Sequence, residues 1–136
     1  MNRTETRVMV VDDDPGIVRA LEHRLSDAGY QVSSASNGAD AILACASRPP
    51  DVMILDVTMP HMDGYKVCER VRESIDAPPM LIIFLTGTTH AGTTSHLEQL
   101  VNQAGGDYFL AKPHDSDVLL RLLEKIAEER ETPAVA

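Results

Sequence analysis

No stretch of this sequence approaches the roughly 20 consecutive apolar residues that a membrane-spanning helix needs, which argues against a helical membrane protein. The opening residues, MNRTETRVMVV, lack the apolar core of a secretory signal, and the expected compartment is the cytoplasm. Cysteine is scarce. Cys45 and Cys68 stand alone, in no metal-binding or redox spacing, and read as two small buried hydrophobes on helices. His23, His61, His90, His96 and His114 likewise lack ligand-like spacing and read as solvated or loop residues. Positive charge is also limited: Lys and Arg number 12 against 21 Asp and Glu, a formal charge of −9. That balance argues against direct nucleic-acid binding, which uses clustered Lys and Arg to replace phosphate counterions. There is no internal repeat or low-complexity tract.

What the sequence does contain is a regular alternation. At 136 residues and 43% hydrophobic it is long enough for one domain with a real core. Arg7 to Val11 reads as a strand, followed by helical spacing at Ile17, Val18, Leu21, Leu25 and Ala28. Asp14 suits the N-cap of that helix, Pro15 its first position and Gly29 its stop. Gln31 to Ala35 is a weaker strand, and Asn37 caps a short helix through Ala46 that Arg48-Pro49-Pro50 ends. Asp51 to Asp56 is a third strand, and the helix from about Gly64 carries Val67, Cys68 and Val71. After Ala77-Pro78-Pro79, Met80 to Thr86 is apolar throughout and predicts a strand buried on both faces. A helix over about Ser95 to Ala104, a strand at Asp107 to Ala111 and a helix over Ser116 to Arg130 complete the series. Five strands alternating with five helices imply an α/β fold with a parallel sheet covered on both faces.

In such folds ligands sit beyond the carboxyl ends of the strands, where the winding reverses. Strand one ends in Asp12-Asp13-Asp14, strand three in Asp56, strand four in Thr86-Gly87 and strand five in Lys112-Pro113. Carboxylates packed at one sheet edge repel unless a cation joins them. Oxygen-only ligands favour a hard divalent ion, Mg2+ or Mn2+ rather than Zn2+, because no Cys or His stands at these ends. Lys112 could pair with whatever anion the metal attracts, and a hydroxyl and a Gly amide would supply neutral donors. That set suits phosphoryl chemistry, where positioning and charge neutralisation dominate, and an unencumbered Asp permits a covalent aspartyl phosphate. Asp14 alone is better read as a helix cap.

VVDDDP, MILDVTMPHMDG, FLTG and DYFLAKP, in this order and at the ends of predicted strands, resemble the receiver domain of two-component response regulators. The resemblance, similar to the stand-alone chemotaxis receiver, runs from about Arg7 to Arg130. It implies a flavodoxin-like doubly wound (βα)5 fold of strand order 2-1-3-4-5. Residues 1–136 would be a single receiver domain with its core at about 7–130, and 131–136 a tail or the start of a linker. It also implies that Asp56 accepts a phosphoryl group from a sensor histidine kinase or phosphotransfer protein. Asp12 and Asp13 match the acidic pair, and the backbone carbonyl of Thr58 a further Mg2+ ligand. Thr86 matches the hydroxyl that swings towards the phosphoryl oxygens, Gly87 and Lys112 its phosphate contacts, and Phe109 the switch aromatic. Lys112-Pro113 matches a peptide bond usually cis in this family, and Met59-Pro60 with Asp63-Gly64 the turn holding the phosphorylation loop. The implied output face is the fourth helix, fifth strand and fifth helix, used by a downstream effector or for homodimerisation.

Two features depart from the pattern. The separation from Thr86 to Lys112 exceeds what the family leads one to expect, with the extra length in TTHAGTTSH, Thr88 to His96. The switch aromatic is Phe109 rather than Tyr, and so has no hydroxyl. Thr58 and Thr88 occupy the positions that tune phosphoryl lifetime. Rival readings are a degenerate receiver acting as a docking module, and a Mg2+-dependent phosphohydrolase working through an aspartyl phosphate. The latter needs a second acid near Asp56, and neither Val57 nor Thr58 supplies one. An FMN carrier would share the architecture, but acids occupy the place of its phosphate loop.

Overall fold

A computed structural model describes residues 3–74, 80–86, 103–111 and 116–131. After a short 3-10 turn at Arg3–Glu5 come β1 (Arg7–Val11), α1 (Pro15–Asp27), β2 (Gln31–Ala35), α2 (Gly38–Ser47), β3 (Val52–Asp56) and α3 (Gly64–Ser74). The series continues with β4 (Leu81–Thr86), β5 (Tyr108–Ala111) and, numbered in the order described, α4 (Ser116–Glu131). The expected helix over Ser95 to Ala104 lies outside the described residues apart from Gln103 and Ala104, which are helical.

The five strands form one parallel sheet in the order β2-β1-β3-β4-β5. Side chains alternate across a strand, so each strand serves two cores. Met9, Val11, Met53, Leu55, Ile82 and Phe84 face α2 and α3, where Ala41, Cys45, Val67, Cys68 and Val71 meet them. Val8, Val10, Val52, Ile54, Ile83 and Leu85 face the other way, against Leu21 and Leu25 of α1 and Leu119, Leu123 and Ile126 of α4. Both cysteines thus sit in the first core, on α2 and α3, as small apolar groups. All five residues of β3 are buried, the apolar run Val52 to Leu55 as its pattern requires and Asp56 at its end. In β4, Ile82 to Leu85 are buried but Leu81 is only half-buried, so its predicted burial holds for the centre of the strand. Edge strand β2 is largely exposed, which explains its weak apolar signal.

The helix ends follow local chemistry. Asp14 Oδ1 accepts from the backbone N–H of Gly16 at 2.9 Å and of Ile17 at 3.4 Å, with Pro15 just inside. Such a cap contributes about 1 kcal/mol. At the other end Gly29 has a φ of 102°, a conformation costly for any residue with a β-carbon. It lets Gly29 N–H reach Ser26 O at 3.0 Å and Tyr30 N–H reach Leu25 O at 3.1 Å, closing the last turn of α1. Asn37 Oδ1 accepts from Asp40 N–H at 2.8 Å to start α2.

The winding reverses beside β1. The chain leaves β1 for β2 on one side and returns to β3 on the other, which opens a crevice above the carboxyl ends of β1 and β3.

Candidate functional site

β1 and β3 lie side by side with Val11 opposite Leu55, so the next residue of each, Asp12 and Asp56, emerges at the same sheet edge. Asp12 and Asp56 are buried, 0% and 2% exposed, whereas Asp13 is exposed. One carboxylate oxygen from each of Asp12, Asp13 and Asp56 lies within 4.8 Å of the others. Ionised carboxylates this close repel by on the order of 1–3 kcal/mol per pair at the effective dielectric of a partly buried site. The set holds oxygen donors alone, with no nitrogen or sulfur, which fits a hard divalent cation.

Each acid has a place in the local backbone. Asp12 N–H donates to Ala35 O at 3.3 Å, tying the turn to the end of β2, and Asp12 Oδ1 accepts from Asp14 N–H at 3.0 Å. Asp14 caps α1 and stands outside the cluster. Asp56 Oδ1 accepts from Thr58 N–H at 3.2 Å. Beyond it, Val57 N–H continues the β4 ladder to Leu85 O at 3.0 Å, and Gly64 N–H returns to Val57 O at 2.8 Å. The intervening loop is anchored by buried Met59 and turns at His61, whose φ is 71°, a left-handed conformation unusual for a residue other than glycine. Asp63 then caps α3, its Oδ1 accepting from Lys66 N–H at 2.8 Å. Asp63-Gly64 therefore does close this loop, one residue by capping and the other by close approach. A hollow of about 350 Å³ opens beside Asp12 and Asp13, between α1 and the end of β2, with Arg19, Glu22, Ser34 and Ser36 on its walls.

The other expected site residues are placed unevenly. Thr86 ends β4 opposite Ala111, one residue past the Leu85–Asp56 pair, which brings its backbone to the same edge. Thr58 is exposed beside Asp56. Phe109 stands opposite Phe84 in the β4–β5 ladder, half-buried against the core that α2 and α3 cover. Gly87 and Lys112 lie outside the described residues, as do Thr88 to His96 and the Lys112-Pro113 bond. One residue near this machinery had no sequence signal beyond its position in the first turn of α3. Tyr65 packs its ring on Phe84, centroids 4.9 Å apart and planes tilted by 54°. Burial, with Asp63 nearby, pushes the Tyr65 phenol above its ordinary range.

Residues 8–124 match the family model of the response regulator receiver domain. The chain belongs to that family. This receiver is 40% identical over 129 residues to the transcriptional regulatory protein KdpE of Mycobacterium tuberculosis, covering 95% of this chain and 54% of that protein. It is 35% identical over 134 residues to the response regulator MprA of Mycobacterium avium, covering 96% of this chain and 56% of MprA. The chain thus spans about half the length of the curated relatives it matches. Among solved structures it resembles the chemotaxis protein CheY4 of Vibrio cholerae, with a TM-score of 0.79 and 32% identity, over 88% of this chain and 97% of that one. The fold is the flavodoxin-like one of that neighbour, and the family is one of two-component signalling domains. Among the described residues no helix is long and apolar enough to cross a membrane.

Proposed function

We propose that this receiver is a phosphorylation-dependent switch that takes a phosphoryl group onto Asp56 from a histidine of a sensor kinase or phosphotransfer protein. The observation that carries this reading is the convergence of Asp12, Asp13 and Asp56 at the carboxyl edge of β1 and β3 in a chain of this family. Asp12, Asp13, Asp56 and the Thr58 carbonyl would hold Mg2+ or Mn2+. Bound there, the cation would neutralise the clustered charge and the oxygens of the incoming phosphoryl group.

Asp56 is the nucleophile in this reading, because it is buried at the end of a fully buried strand and its position is set by the Thr58 N–H. The carboxylate oxygen of Asp56 that does not accept from Thr58 attacks phosphorus as the N–P bond of the donor phosphohistidine breaks. The electron pair of that bond stays on the imidazole nitrogen, which is protonated. Thr86, Gly87 and Lys112 would contact the transferred phosphoryl oxygens, with Lys112 paired to Asp56 beforehand. Phosphorylation would shift an existing equilibrium between two conformers, biased through Thr86 and Phe109. Its output would appear on the face built from the helix preceding β5, β5 itself and α4. A downstream effector domain or protein reads that face, and homodimerisation through it is one form of output. By this reading 1–136 is a single receiver domain working in the cytoplasm, catalysing only its own phosphorylation and dephosphorylation, without binding nucleic acid itself.

The test is incubation with acetyl phosphate and Mg2+, followed by intact mass. One phosphoryl group is gained by the parent and none by Asp56→Asn. Stoichiometric labelling that persists in Asp56→Asn overturns the assignment. No labelling of the parent would instead leave a docking module that works unphosphorylated.

A further inference from the structure

A second hollow, of about 210 Å³, lies on the flank of the sheet between edge strand β2 and the C-terminal end of α2, and the machinery around Asp56 does not use it. Two guanidinium-bearing residues line it: Arg7 at the start of β1 and Arg48 just past α2. They are 41 residues apart in sequence, and Arg7 Nη2 donates to the backbone oxygen of Arg48 at 2.9 Å. Asp51 Oδ2 accepts from the backbone N–H of Arg7 at 2.8 Å, which fixes the root of that side chain. Neither guanidinium is ion-paired with a carboxylate among the described residues, whereas Arg24 meets Asp117 and Arg72 meets Asp107. In a chain of net charge −9, two guanidinium groups at one concave place, neither in an ion pair among the described residues, are a feature to account for. Ser33 of β2 stands opposite Met9 of β1, on the face of the sheet that α2 covers, and carries a hydroxyl that can donate; Met9, Val32 and Ala44 add apolar lining.

We propose that this hollow binds a phosphate dianion, either free phosphate or the phosphate of a small phosphomonoester. Two guanidinium forks match two negative charges and offer planar, paired N–H donors to the oxygens of one anion. The hydroxyl of Ser33 offers one further donor to the remaining oxygens, and the volume suits a phosphate group with little attached. Arg7 arrives already oriented by the Arg48 carbonyl, so less side-chain freedom is lost on binding. The site is separate from the acidic cluster and needs no cation, so it is independent of the role given to Asp56.

The experiment is a titration of the full chain with inorganic phosphate in EDTA, followed by amide NMR, with sodium chloride of equal ionic strength as reference. Saturable shifts at Ser33 and Arg48 are expected with phosphate and not with chloride. Arg48→Gln, at an exposed position outside any strand, is expected to weaken binding by about tenfold, the loss of one set of charge-assisted hydrogen bonds. Arg7→Gln is expected to do the same, and a folded Arg48→Gln keeps the test decisive if Arg7→Gln does not fold. Parallel titrations with glycerol phosphate and acetate separate the sources: tighter glycerol phosphate binding identifies a phosphomonoester, while acetate, a monoanion, should bind more weakly than either. Shifts that fail to saturate, that chloride reproduces, or that survive unchanged in Arg48→Gln overturn the proposal.

Discussion

Gly64 is packed directly on the backbone of Asp56: a β-carbon placed there would stand 2.3 Å from the Asp56 carbonyl oxygen and 2.9 Å from the α-carbon of Val57. The neighbouring atoms are backbone, so neither can swing aside as a flexible side chain could. Gly64→Ala should therefore lower stability by about 1–3 kcal/mol, the usual cost of forcing extra volume into a packed site. It should also displace Asp56 and weaken Mg2+ binding. Urea unfolding together with a Mg2+ titration checks both, and a variant matching the parent in both would refute the role given to this contact.

Asp13 is the exposed member of three carboxylates that crowd one place. In metal-free protein Asp13→Asn should raise stability, by about 1 kcal/mol or less, because one repulsive partner is removed and solvent already screens it. With Mg2+ the order should reverse. The parent gains stability by mass action, about 2.7 kcal/mol at a hundredfold excess over the dissociation constant, and the variant gains little. Thermal unfolding with and without Mg2+ measures the crossover.

Arg72 of α3 ties together three segments at the end of the sheet away from the acids. Its guanidinium donates to Met80 O at 2.6 Å, Gly105 O at 3.0 Å and Asp107 Oδ2 at 3.0 Å. Asp107 Oδ2 in turn accepts from Ile82 N–H at 2.8 Å. Arg72→Met keeps most of the apolar stem but removes all three donors, and should cost about 2–3 kcal/mol, since the side chain is only 30% exposed. Arg72→Lys should recover little of this, as one ammonium cannot span the same fork. Chemical denaturation of both variants decides.

Burial pushes the thiols of Cys45 and Cys68 from 9.0 up to about 11. Unfolded thiols lose their protons first, so ionisation favours the unfolded chain once pH passes about 9. The contribution is complete below pH 9 and is lost as pH rises through about 11. Native protein at about pH 8 should resist a thiol reagent, and unfolding in urea should expose both groups to it. Rapid modification of the folded protein would contradict the burial of either side chain.

Much of this architecture was legible because it rests on short-range patterns. The Asp14–Pro15 start and the Gly29 stop of α1 were readable from residue type, since capping and left-handed turns are decided within a few residues. Asp12, Asp13 and Asp56 stood out because each follows an apolar strand. The Arg72–Asp107 pair, 35 residues apart, had no such signal, and neither did Tyr65 on Phe84 or Gly64 on the backbone of Asp56.

By itself the sequence determined the alternation of elements, their capped ends and which residues finish the strands, because periodicity and turn chemistry are local. Only the tertiary structure decided which strand ends meet. Pairing β1 with β3 in parallel register, Val11 against Leu55, draws Asp12 and Asp56 together, and the neighbouring β1–β2 and α2 packing gathers Arg7 and Arg48 at one hollow. That register follows from burying both faces of the sheet at once, a constraint on the whole chain that no short stretch of it contains.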